Sequence, residues 1–445
     1  MSKNRAKKIQ DYDRAYSILH RFVSFAVNRS YREILHVGEE NIPQEGAIIF
    51  APNHTNTLMD ALVILAYNHK PKVFVARADI FRNRKLAKIF TFMKIMPIMR
   101  QRDGFKAVKK NQETIDKAVD VLKDKIPFCI FPEGTHQAKY SSLPLSKGIL
   151  KIAFQTHEQM PDVPLYIVPV GIRYGDFFRF RSTMRMEFGK PINVGNFIAE
   201  NDQLTPQEQM NGMRNLLAER LHATLFHIPN DDDYKATYEI CNAVEALEKE
   251  ALLKDKVNRK MHSVELQFQA NNRTLKRMEA LKTSNPEKAQ KLLELGREAS
   301  KLRKKKGIDT ESAAVKKPLL ARIVRILCTL VTLPYTLPVS ILASPVVGIC
   351  QFIFTKLKDP AFRNSVRFVM NLLVWPFLVV IYAIIACCLL PWQWALVVTV
   401  LLMPAPMVAH ELWKTIRLTI SDIRLLKQKK LSSLYSQIRK MIMKD

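Results

Sequence analysis

Three places in the sequence bring together residue types that could do chemistry. His54 and Asp60 stand in the stretch Ile-Ile-Phe-Ala-Pro-Asn-His-Thr-Asn-Thr-Leu-Met-Asp, which ends at Asp60. A neutral imidazole beside a carboxylate is the basic unit of general-base catalysis. The acid selects the tautomer and stabilises the imidazolium that forms. Arg100 offers a planar fork that suits a phosphate, with Arg102 close behind it. In Glu133-Gly134-Thr135 the glycine lets backbone approach a ligand closely, and two successive N–H groups suit an oxyanion or phosphate. The chain has 10 His and 41 acidic residues in 445 positions, so one His–acid pair at a chosen offset arises about once by chance. Corroboration must come from elsewhere. There is no second carboxylate near His54, no Cys/His cluster and no Gly-rich Walker loop. Metal catalysis and nucleotide hydrolysis thus have no visible machinery, and no metal is expected.

The elements around these residues read as strands that deliver them. Ala47 to Phe50 is an apolar run ended by Pro52, and Leu58 to Ile64 fits a helix packing back on a sheet. Further strands are expected at 31–37, 71–76, 95–100, 127–131, 165–172 and 184–188. Helices are expected over 111–123 and 148–156. Thr205-Pro206-Gln207-Glu208 carries a capping box that starts another, running to about Leu225. Alternating strands and helices imply one α/β domain, and strand ends in open α/β sheets converge on a crevice.

The remainder differs in character. The formal net charge of +28 favours an anionic partner. No aromatic-interleaved basic platform appears, so nucleic acid is not expected. The six cysteines form no Cys-x-x-Cys pair and read as small apolar residues. Residues 1–30 read as an amphipathic helix, either on a membrane surface or packed on the next domain. Residues 229–318 are charge-rich and periodic in Leu and Ala, a solvated helical linker. Ile326 to Thr355 holds no charge in 30 positions, and Phe368 to Val408 none in 41. The second suits two spans joined at Pro391-Trp392-Gln393-Trp394. The first, broken by Pro334, Pro338 and Pro345, reads as a re-entrant hairpin. Basic flanks put both ends of these membrane segments (319–411) on the cytoplasmic side. The basic amphipathic tail, 412–445, would lie against anionic headgroups.

Four ordered motifs carry a resemblance. Asn53-His54 with Asp60, Pro97-Ile98-Met99-Arg100, Phe131-Pro132-Glu133-Gly134-Thr135 and Ile167-Val168-Pro169-Val170 resemble those of the glycerophospholipid acyltransferases. These are the glycerol-3-phosphate and 1-acylglycerol-3-phosphate O-acyltransferases. The Phe-Pro-Glu-Gly-Thr string is the most specific part, arising by chance on the order of once in ten thousand chains of this length. The resemblance covers roughly Tyr31 to Leu225. It implies an α/β fold with a mixed sheet flanked by helices, an acyltransferase domain at 31–228, and a helical and hydrophobic membrane region after it. It implies that His54 activates the acceptor hydroxyl with Asp60 in support. Arg100, Glu133, Gly134 and Thr135 would bind glycerol phosphate. Val168, Pro169 and Val170 would shape the acyl-donor side. The donor would be acyl-CoA or acyl carrier protein, with no cofactor, and the oligomeric state is left open.

Two departures bear on these expectations. The family places four residues between His and Asp, and this chain has five, Thr55 to Met59. Either the loop absorbs the extra residue or the contact is lost. A lost contact would leave a non-catalytic lipid-binding scaffold. The third motif commonly continues with Arg or Ser, whereas here it runs into His136-Gln137. One phosphate contact is then missing, for which Lys139 or Lys147 could compensate. The long additions after the domain lean towards the larger glycerol-3-phosphate enzymes without separating the two acceptors.

Overall fold

The computed structural model describes residues 8–99, 105–255, 257–314 and 319–443. They divide into two units: residues 1–225 with 358–365, and residues 226–357 with 366–445.

In chain order the first unit holds α1 (Arg14–Ser30), β1 (Tyr31–Val37), β2 (Ala47–Pro52), α2 (Leu58–Ala66), β3 (Val73–Arg77), α3 (Arg84–Phe92) and β4 (Ile95–Ile98). There follow α4 (Phe105–Lys123), β5 (Phe128–Cys129), α5 (Gly148–Gln159), β6 (Leu165–Tyr174), β7 (Ser182–Phe188), β8 (Ile192–Asn193), α6 (Val194–Glu200) and α7 (Pro206–Ala223). The sheet order is β1-β7-β6-β2-β5-β3-β4, with β8 on β6. It is mixed: β2 is parallel to both β5 and β6, and β6 is antiparallel to β7. Central strands covered on both faces need continuous apolar runs, which is what 47–51 and 165–172 supply. Ile49, Val73, Phe128, Leu165 and Ile167 meet Ala118, Leu122, Ile149, Ile152 and Leu217 from the helices in one core. The capping box forms at Thr205, whose side chain and Glu208 satisfy each other's backbone N–H groups.

Helix α1 offers two faces. Tyr16, His20, Ser24 and Val27 are buried, and the His20 ring bonds the Leu65 carbonyl of α2 at 3.0 Å. Ile18, Phe22 and Phe25 remain exposed. Packing against the domain is thus present, and an apolar face is still open.

The second unit is helical: α8 (Tyr234–Leu253), α9 (Ser263–Ser284), α10 (Pro286–Lys305), α11 (Thr310–Ala314), α12 (Leu319–Lys356), α13 (Phe362–Leu389), α14 (Trp392–Leu402), α15 (Ala405–Leu426) and α16 (Lys429–Met443). The opening residues of α13, up to Ser365, belong to the first unit. Three expectations change here. The described residues of 229–314 form a packed assembly rather than a solvated linker. Ala236, Ile240 and Val244 of α8 bury against Leu292 and Leu293 of α10. The basic tail joins the same core, because Leu431, Leu434, Tyr435, Ile438 and Ile442 make an apolar face on α16 that is buried there. The expected hairpin at 326–355 is instead part of one continuous helix that carries all three prolines. An internal proline removes one backbone bond and kinks a helix, but it does not force a reversal of direction. At 38 residues α12 is roughly 57 Å long, more than one bilayer core.

Helices α12 and α13 are long and apolar enough to cross a membrane, and most of their apolar surface is unburied. Helices α14 and α15 pass the same test only as a pair bent by 53°. The turn between the segments of the second stretch falls at Pro391, which caps α14.

Candidate active site

The site is built at the carboxyl ends of β2 and β5. Where β2 stops, the Asn53 amide clasps β6: its Nδ2 donates to Ile172 O at 3.0 Å and its Oδ1 accepts from Ile172 N–H at 2.7 Å. This two-point bond fixes where the chain turns and so where His54 begins. Val168, Pro169 and Val170 pair with Phe50, Ala51 and Pro52 across the same ladder and are buried. Their place in the structure is thus inside the sheet that carries His54, rather than on an open surface.

His54 Nδ1 lies 2.8 Å from Asp60 Oδ2. The extra residue is absorbed with the contact kept. The strain of doing so falls on Thr57, which takes φ 50° and ψ −121° just before α2. A threonine in that region is uncommon and costs on the order of 1–3 kcal/mol. Asp60 is fully buried and collects four donors. Oδ2 accepts from the His54 ring, from Thr55 N–H at 2.8 Å and from Asn56 N–H at 2.6 Å, while Oδ1 accepts from the Tyr174 hydroxyl at 2.8 Å. An acceptor-only carboxylate satisfies all four. Nδ1 therefore carries a proton, and Nε2 is left with the lone pair that a general base needs. The imidazole stacks on Phe131, centroids 4.3 Å apart, so the segment that opens the third motif also orients the His54 ring.

The third motif forms a buried tie. The Glu133 carboxylate accepts from His54 N–H at 3.2 Å and from Leu143 N–H at 3.3 Å. Burial pushes its carboxyl up to about 8; the two backbone donors pull the other way, and nearby Asp60 adds to the rise. Glu133, expected to contact the acceptor, is buried and ties the His54 and Leu143 loop segments to its own. Gly134 has φ 65°, and its N–H closes a turn on Phe131 O at 3.2 Å. That N–H is committed within the protein. Thr135 is exposed beside it. Arg100 and Arg102 lie outside the described residues.

Several functional neighbours had little signal in the sequence. Tyr174, at the far end of β6, is buried, and its hydroxyl is raised well above its ordinary value by burial and then by Asp60. Tyr31 stacks on it at 5.8 Å. His136 is the larger surprise. Its Nε2 lies 2.8 Å from Asp359 Oδ2, and its ring stands 5.3 Å from that of His54 at 71°. Phe362 meets the same ring edge-on at 5.3 Å. The strained Thr57 hydroxyl bonds the Ser365 hydroxyl at 2.7 Å. The first unit's residues 358–365 therefore wall the site, although more than 220 positions separate Asp359 from His136. One hint existed: Asp359 is the only acid between Glu311 and Glu411.

The acyltransferase family model matches residues 33–173. Glycerol-3-phosphate O-acyltransferase 2 of Saccharomyces cerevisiae is 28% identical over 141 residues, covering 31% of this chain and 19% of the yeast protein. The chain thus aligns with about a fifth of that relative's length. A probable 1-acyl-sn-glycerol-3-phosphate acyltransferase of Mycoplasma pneumoniae is 25% identical over 198 residues, 40% of this chain and 69% of its own length. The solved acyltransferase PlsC of Thermotoga maritima superposes at a TM-score of 0.35 with 19% identity, over 47% of this chain and 78% of that one. The match to the acyltransferase model thus covers about a third of the chain, and the relatives aligned there carry the names of glycerol-3-phosphate and 1-acylglycerol-3-phosphate acyltransferases.

Proposed function

We propose that the protein moves a fatty acyl group from an acyl thioester to a hydroxyl of glycerol-3-phosphate or 1-acylglycerol-3-phosphate, at a membrane. The observation that carries this reading is the buried, four-donor Asp60 holding His54 Nδ1 at 2.8 Å. His54 Nε2 takes the proton of the acceptor hydroxyl as its oxygen attacks the thioester carbonyl carbon. The tetrahedral intermediate collapses with loss of the C–S bond, and the imidazolium returns its proton to the departing thiolate. No covalent enzyme intermediate is needed. Asp60 stabilises the imidazolium for the lifetime of the intermediate.

Arg100 would take the acceptor phosphate and the Thr135 backbone N–H the developing oxyanion. The donor would be acyl-CoA or acyl carrier protein, both anionic and suited to a chain of net charge +28. The basic flanks of the apolar helices favour a catalytic domain on the cytoplasmic face.

The test offers purified full-length protein a labelled acyl thioester with glycerol-3-phosphate and with 1-acylglycerol-3-phosphate, side by side. Transfer to at least one is expected, and His54→Ala should abolish it while the protein stays folded. Undiminished turnover in that variant would sink the mechanism.

A further inference from the structure

Resting on the acyl-transfer reading above, we propose that His136, oriented by Asp359, binds the second hydroxyl of the acceptor. The site then selects the diol glycerol-3-phosphate over acceptors that have a single free hydroxyl.

The argument starts from the pairing. Asp359 is an acceptor, so the His136 Nε2 beside it at 2.8 Å carries a proton. In the neutral ring Nδ1 is then left as a hydrogen-bond acceptor, the right partner for a substrate O–H. His54 is arranged in the mirrored sense, with Nδ1 on Asp60 and Nε2 left as acceptor. Two imidazole–carboxylate pairs thus stand with ring centroids 5.3 Å apart. A hydroxyl on the carbon next to the reacting one falls within reach of the second ring when the first hydroxyl is on the first.

A phosphate is the poorer occupant of His136. With Nε2–H on Asp359 the ring presents one acceptor nitrogen, which pairs with an O–H donor and not with a phosphate dianion, itself an acceptor only. The ring is also held rather than loose: it is half-buried, with Phe362 edge-on against it. Residues 358–365 make this possible. They lie outside the family match at 33–173. The Thr57–Ser365 bond fixes the same segment to the His54–Asp60 loop. Asp359 is a positioning residue, since it acts through His136.

The test compares glycerol-3-phosphate with 3-hydroxypropyl phosphate, which has the same phosphate and one hydroxyl. The full-length wild-type protein should favour the diol in kcat/KM by about tenfold, the scale of one hydrogen bond. His136→Phe keeps a ring against Phe362 and should lower kcat/KM for glycerol-3-phosphate about tenfold more than for 3-hydroxypropyl phosphate. Asp359→Ala should follow the same ratio, chiefly through KM, and Asp359→Asn should restore most of it. An equal fall on both acceptors, or a wild type indifferent to the second hydroxyl, overturns the inference. A wild type that acylates neither acceptor refutes the underlying reading and takes this one with it. Normal transfer without acceptor discrimination refutes this one alone.

Discussion

Asp60→Asn is the sharpest probe of the base. The amide oxygen can take the place of Oδ2 and still accept from the His54 ring and from the Thr55 and Asn56 N–H groups. The amide NH2 then faces the Tyr174 hydroxyl, which can turn to accept. The tautomer and the loop are preserved, and what is lost is the negative charge beside the imidazolium. Unit charges about 4 Å apart at an effective dielectric constant of about 20 attract by about 4 kcal/mol. At 1.36 kcal/mol per tenfold, kcat should fall roughly 10³-fold, within the span general-base catalysis contributes. KM should move little, because the charge is needed only once the proton has transferred. The assay is thiol release from an acyl thioester in the presence of glycerol-3-phosphate, with circular dichroism as the check on folding. A folded variant whose kcat stays within tenfold of wild type would refute the assignment of Asp60.

Other perturbations test the surroundings. Tyr174→Phe leaves Asp60 Oδ1 without its donor and should cost about 1.5–3 kcal/mol of stability. In the Asp60→Asn background the same change should cost much less, a coupling that a double-mutant cycle measures. Lys72 is buried, and its amine bonds Asn68 Oδ1 at 2.8 Å and Lys70 O at 3.1 Å. Burial pushes it from its ordinary 10.5 down to about 7. Between those two values the folded state binds fewer protons than the unfolded one, so Lys72 makes stability rise with pH across that window. Lys72→Met should stabilise the protein at pH 6.5 and flatten that rise, as read from melting at pH 6.5 and 9. Arg303, in the helical unit, holds the buried Glu239 through Nε at 2.7 Å and Nη2 at 2.9 Å, with Tyr435 on the same carboxylate at 2.6 Å. Arg303→Met alone should cost about 3–5 kcal/mol, and adding Glu239→Met should recover much of it in a denaturation series.

The parts of this protein legible in the sequence are those governed by short-range rules. Apolar runs ended by Pro52 and Pro132 mark β2 and β5, and the box at Thr205 marks the start of α7. His54 and Asp60 were legible as a pair because one loop carries both and the other motifs follow in order. Tertiary structure decided whether they touch. The answer depended on one strained residue, Thr57, and on an amide clasp from Asn53 to a strand about 120 positions away. It also decided that Glu133 is an internal tie and not a hand held out to substrate, because exposure is a property of packing and not of residue type. Asp359 is the clearest case. In the sequence it is a lone acid between two apolar stretches; in the fold it orients a second imidazole beside the base. Periodicity and capping report only on neighbours within a few residues, so a contact across more than 220 positions leaves no local pattern to read.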